Sequence, residues 1–121
     1  MKQQFVIKGK LPGLNEYIAA ERRNRYAAAS LKKSHQIQIL MIIRAARLKR
    51  CRGSATIRYK FFEPNRRRDK DNIAAFAHKV VQDALVQAGV LDNDGWNQIS
   101  GFSDEFYLDP VDPRIEVLVV S

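Results

Sequence analysis

Between Ile73 and Ala88 the apolar residues include the series Ile73, Phe76, Ala77, Val80, Val81, Ala84, Leu85 and Ala88. Their 3,1,3,1,3,1,3 spacing lines up on one side of a chain only if that chain is an α-helix. Gly89 follows as the expected C-terminal stop and Asp71 precedes as the expected N-cap. Just upstream, Ala55, Ile57, Tyr59 and Phe61 alternate with Thr56, Arg58, Lys60 and Phe62, the period-two pattern of a strand, which Pro64 ends. A strand and a helix marked this strongly predict a sheet with a helix packed on one face.

The flanking segments complete the order. Phe5-Val6-Ile7 reads as a short strand bounded by Gly9, Pro12 and Gly13. Residues 11–27 have few apolar anchors and many polar groups, which predicts a long functional loop. From Ala28 to Arg50 the pattern is helical, with Ala27, Leu31, Ile39, Ile42, Ile43, Ala46 and Leu48 on a broad apolar face and Gly53 as the stop. After an acidic loop at 91–95, strands are expected at 99–108 and 115–120, paired as a hairpin through Asp109-Pro-Val-Asp-Pro113. The reading is an α+β domain over residues 1–121, ordered β-α-β-α-β-β, with helices on a small mixed sheet.

Composition removes several classes of function. One cysteine, Cys51, allows neither an internal disulfide nor a cysteine-based zinc site, and His35 and His78 lack metal-ligand spacing. The first residues do not read as a signal peptide, and the longest apolar run, Ile39 to Ile43, is too short to span a bilayer. A soluble cytoplasmic protein with no membrane partner is expected.

Charge then singles out one junction. Residues 1–68 hold 18 Lys/Arg against 3 Asp/Glu, whereas residues 69–121 hold 3 against 10. Such asymmetry suits a polyanionic partner. The seam is Arg66-Arg67-Arg68-Asp69-Lys70-Asp71-Asn72, where cations that bind phosphate run into an Asp-x-Asp pair that could hold Mg²⁺ or Mn²⁺. A protein that only grips an anion gains nothing from those carboxylates; one that cleaves a phosphodiester uses both. Further carboxylates, Asp92 and Asp94, follow the helix. At about 1.5 Å per residue that helix is about 25 Å long, so they meet Asp69 and Asp71 only if the loop folds back or a second chain supplies them. Asp83 is expected to be a solvated partner of Lys79, His78 a surface residue, and Trp96 a core residue.

The strings Arg66–Asn72, Asp83-Ala-Leu85, Ala88-Gly89 and Asp92-Asn-Asp-Gly95 resemble the RusA-type Holliday junction resolvases, and Leu11-Pro-Gly-Leu-Asn-Glu-Tyr17 and Lys32-Lys33 extend the likeness towards the N-terminus. The resemblance implies a homodimeric, magnesium-dependent endodeoxyribonuclease acting on four-way DNA junctions. It places the essential carboxylates at Asp69, Asp71 and Asp94, with Asp92 as the alternative third, and the functional lysine at Lys79. Here the chain departs from the family pattern by an extra helical turn, which puts Lys79 about 12 Å along the helix from Asp71. Lys70 or an arginine could then take the nearer role. Expected DNA contacts are Arg66, Arg67, Arg68 and Lys70, with Asn15, Arg22 and Arg23 in the long loop and Lys32 and Lys33 beyond it. The alternative is a basic DNA-binding module without catalysis.

Overall fold

The alternating residues of the central strand dictate the core. In the computed structural model, which describes residues 1–121, Ala55, Ile57, Tyr59 and Phe61 are all fully buried along β2 (Ala55–Glu63). The stripe anticipated for the following helix is buried in α3 (Lys70–Gln87), joined by Ala74, with Ala88 half-buried just past its end. Strand and helix share one core of 23 residues. His78 of α3 packs on Tyr59 of β2 with the rings tilted by 44° and 4.6 Å between centroids, a contact of the helix with the strand beneath it.

Around this pair lie β1 (Lys2–Lys8), α1 (Leu14–Arg23), α2 (Arg25–Ala45), β3 (Ile99–Leu108) and β4 (Arg114–Val120). The sheet order is β1-β4-β2-β3. β2 and β3 run parallel, so the chain between them must cross over, and α3 is that crossover. β4 pairs antiparallel with both β1 and β2. The class is α+β with a mixed four-stranded sheet, as the periodicities predicted.

The expected hairpin is absent. β4 does not pair with β3 but inserts between β1 and β2. The residues explain the choice. β4 alternates Ile115, Val117 and Val119 in the core with half-buried Glu116, Leu118 and Val120, which suits a strand paired on both sides. β3 carries Gly101, Ser103, Asp104 and Glu105, polar groups that suit an edge. Alternation reveals which face a strand buries, not which strand lies beside it.

The expected loop at 11–27 is also corrected, since most of it is helical. α1 buries only Ala20 fully, while Tyr17 packs half-buried on Phe76 at 5.4 Å, so its apolar signal is thin. Asn24 breaks the helix and caps the next one, accepting a hydrogen bond on Oδ1 from the Ala27 amide at 2.7 Å. α2 starts earlier and ends earlier than the pattern suggested. It stops at Ala45, and the left-handed residue beyond it is Arg47 (φ 56°), not Gly53. For α3 the N-cap is Asp69 rather than Asp71, which sits in the first turn.

The two long helices are clamped by Asp83. Its carboxylate accepts Lys32 Nζ at 2.6 Å and Lys79 Nζ at 3.4 Å. Asp83 is therefore a half-buried bridge between α2 and α3, and Lys32, expected at DNA, is engaged in that bridge. Burial pushes the Asp83 carboxyl up, but the hydrogen bonds and charges of Lys32 and Lys79 outweigh it and hold the group below the ordinary carboxylate range. A depressed carboxyl contributes stability above its unfolded pKa and loses it as pH falls through the folded value. The melting temperature should therefore drop as pH falls below about 4, and Asp83→Asn should lower it at pH 7 while flattening that acid limb. Parallel thermal melts of both proteins from pH 7 to pH 2 check this; identical acid limbs would exclude the clamp.

Candidate active site

The site forms where β2 and β3 end side by side and α3 begins. Carboxyl ends of parallel strands beside a helix N-terminus are the usual place for ligands in crossover units. Here they border a cavity of about 950 Å³ lined by residues including Glu63, Asn65, Arg66, Asp69, Lys70, Asp71 and the β3 residues Phe106, Tyr107 and Leu108.

The walls follow from local chemistry. Glu63 is the last residue of β2 and falls on the inward phase, leaving it 6% exposed. A carboxylate so placed needs a partner. Arg68 supplies a two-pronged one, with Nε to Oε1 and Nη2 to Oε2 both at 2.9 Å. Its remaining nitrogen, Nη1, donates to the Leu11 carbonyl at 2.9 Å. Arg68 is thus turned inward and structural, a correction to its expected role among the phosphate-binding arginines. Between the two, Asn65 Oδ1 accepts the Arg67 amide at 3.0 Å. This tight turn leaves Arg66 and Arg67 exposed, with no carboxylate paired to either.

The N-terminal segment is built onto the same corner. A side chain on Gly13 would place its Cβ 2.6 Å from Asn72 Nδ2, so any larger residue there must push the Asn72 side chain aside. The Asn15 amide donates to Asn72 Oδ1 at 2.8 Å, and the Gly13 amide to Glu16 Oε1 at 3.4 Å. Leu11–Tyr17 and Arg68–Asn72, 57 residues apart at their contacts, are one structural unit. The Asn15 side chain, Arg22, Arg23 and Lys33 lie on the exposed surface of α1 and α2.

Asp69 and Asp71 are exposed, line the cavity and form no ion pair. Asp71 Oδ1 accepts only the Asn72 amide, at 2.9 Å. Lys70 lies between them, its Nζ 5.7 Å from the centre of the Phe106 ring. The helix N-terminus offsets part of the negative charge that the two aspartates place there. Unpaired carboxylates with open oxygens are suitable ligands for a hard divalent cation. Glu63, whose oxygens both receive Arg68, is not.

The remaining expected ligands separate. The loop after α3 does fold back, far enough for Asp94 to reach Lys79 at 3.9 Å, two turns before the end of the helix. Lys79 is held between Asp83 and Asp94 and, along the helix axis, remains about 12 Å from Asp71. Asp92 turns instead to Arg50, with which it pairs at 2.8 Å. No three acidic, histidine or cysteine side chains gather around one point within the chain.

Several residues run against the expectations for them or escaped the sequence altogether. Trp96 is 95% exposed, not core. His78 is not a surface group: it is largely buried, with Nε2 2.7 Å from Asp104 Oδ1 and its ring 4.6 Å from that of Phe102. Glu63 and the Phe106–Leu108 wall were missed. An acid on the inward phase of a strand signals the first, whereas nothing local marks the second, because it depends on the parallel pairing of β3 with β2.

Compared with known proteins, the sequence matches no family model and no curated protein.

Removing one partner of a buried ion pair leaves the other charge stranded, at a cost of about 3 kcal/mol. Arg68→Ala should therefore destabilise by about that amount in urea unfolding, with Arg66→Ala and Arg67→Ala changing stability by less than about 0.5 kcal/mol. Equal effects at all three positions would remove the structural distinction among them.

Proposed function

We propose that the protein is a metal-dependent endodeoxyribonuclease that resolves four-way DNA junctions. The observation that carries this reading is the pair Asp69 and Asp71, unpaired and exposed at the start of α3, in a cavity also lined by Arg66 and Lys70. Cations without carboxylate partners supply phosphate affinity, while the two aspartates add a charge that a pure anion site would exclude. The RusA-type resemblance supports the same assignment, and two of the strings that carry it, Leu11–Tyr17 and Arg66–Asn72, pack together.

In this reading Arg66, Arg67 and Lys70 hold the phosphodiester backbone across the cavity mouth. Phe106 and Tyr107 form an apolar wall that seats a sugar or base edge and limits water around the bond to be cut. Asp69 and Asp71 would hold Mg²⁺ or Mn²⁺, which when bound supplies an activated water and charge stabilisation at the phosphate. Arg68, through Glu63, keeps the turn that presents these groups rigid. Lys79 and Asp94 lie farther along α3, where they would meet a neighbouring phosphate or complete the site of a second copy. A homodimer would set two such sites across a junction whose pseudo-twofold symmetry matches its own. Cytoplasmic work on DNA is consistent with the absence of any helix long and apolar enough to cross a membrane.

A second reading, a DNA-binding module without catalysis, is favoured because the one other carboxylate in the cavity, Glu63, is taken by Arg68 and no third free one joins Asp69 and Asp71. Cleavage of a synthetic four-way junction in Mg²⁺, beside a linear duplex of the same sequence, separates the two. The nuclease nicks the junction in pairs and spares the duplex. Asp69→Asn and Asp71→Asn should each reduce cleavage on the order of 100-fold or more while junction binding persists. Junction binding with no cleavage in Mg²⁺ or Mn²⁺ would favour the module.

A further inference from the structure

Far from the cavity, the last turn of α2 and the chain from it to β2 carry Arg44, Arg47, Lys49, Arg50 and Arg52 with no acidic residue among them, and all five are exposed. Only Arg50 is paired, to Asp92. The segment is nonetheless held firmly. Gln3 of β1 grips the Lys49 backbone twice, donating from Nε2 to the carbonyl at 2.8 Å and accepting the amide on Oε1 at 2.6 Å. Buried Cys51 donates its amide to the Val90 carbonyl at 2.8 Å. The residue that ends α2 in the left-handed region, where glycine is favoured, is Arg47 (φ 56°). The result is a concave surface of about 830 Å³ bordered by Lys49, Arg50 and Arg52, with Asp92 on Arg50 and Met1 and Ser121 at its edge, and with exposed Arg47 outside its lining.

Like charges held together on a fixed frame repel unless a polyanion neutralises them, and a solvated run needs no such anchoring. We propose that this corner is a second, non-catalytic grip for the phosphate backbone of duplex DNA. The inference rests on the reading of the protein as a DNA nuclease. β2 leads directly from this corner to Glu63 at the cavity, so nine residues of strand at about 3.3 Å each separate the two by about 30 Å. That distance is about nine base pairs of duplex at 3.4 Å per pair. One protomer thus holds DNA at the cut and again one arm-length away, which orients the junction rather than reads its sequence.

The test uses the full chain and an uncleaved four-way junction in EDTA over a range of salt concentrations. The triple variant Arg47→Gln, Lys49→Gln, Arg52→Gln should lower the slope of log affinity against log salt by about 2 to 3 in magnitude, as expected for three lost phosphate contacts. Its single-turnover cleavage at saturating enzyme in Mg²⁺ should match the unaltered protein, because none of the three lines the cavity. Arg47→Gly separates folding from binding. It relaxes the left-handed position, so its melting temperature should hold or rise while the slope still falls by about 1. An unchanged slope in both variants would overturn the second grip and leave the active-site reading standing. An Asp69→Asn protein that cuts normally would overturn the active site without touching the grip. Failure of the unaltered protein to bind junction DNA would overturn both.

Discussion

A carboxylate buried at the end of a strand must be neutralised, and how Glu63 is neutralised organises the whole working end of this protein. Arg68 meets both of its oxygens and then reaches the Leu11 carbonyl. One guanidinium therefore ties together the end of β2, the entry to α3 and the segment before α1. Truncating it would leave a buried charge at the seam of three elements, a costlier loss than any exposed ion pair nearby.

That pairing sorts three consecutive arginines into two roles. Arg68 faces the interior, and the Asn65 turn leaves Arg66 and Arg67 in solvent. The aspartates that follow fall at the N-cap and first turn of α3, where the helix dipole favours negative charge and no cation of the chain reaches them. Cations and carboxylates that would collapse on one another in a flexible string are held apart by the turn and the helix. A phosphate and a metal ion placed between them would each find groups of opposite sign already in position, which lowers the reorganisation that binding requires.

The distribution of charge has the same logic at larger scale. The core is built by alternation in β1, β2 and β4 and by the stripe of α3, leaving cations to the periphery. They concentrate at two ends of β2, the Arg66–Lys70 corner and the Arg44–Arg52 corner. Lys32 and Lys79 are instead drawn into the Asp83 clamp between α2 and α3. Position within a basic half therefore says little about whether a given cation is free to meet a ligand; the nearest carboxylate in space decides it.

Local periodicity was enough to determine the α+β class, the burial of β2 and α3, and the corner at Arg66–Asn72, because each depends on residues within one turn or one strand of each other. It was not enough for α1, whose single fully buried residue, Ala20, leaves almost no stripe, nor for the end of α2, where Arg47 takes a conformation normally marked by glycine. The tertiary structure alone decided the rest. It placed β4 between β1 and β2, because alternation names a face and not a neighbour. It brought Leu11 to Arg68 and Phe106 to Lys70, contacts between segments that carry no common local signal. It also parted Asp92 from Asp94, two residues whose identical chemistry in one turn gives no hint that one turns to Arg50 and the other back to Lys79 on α3.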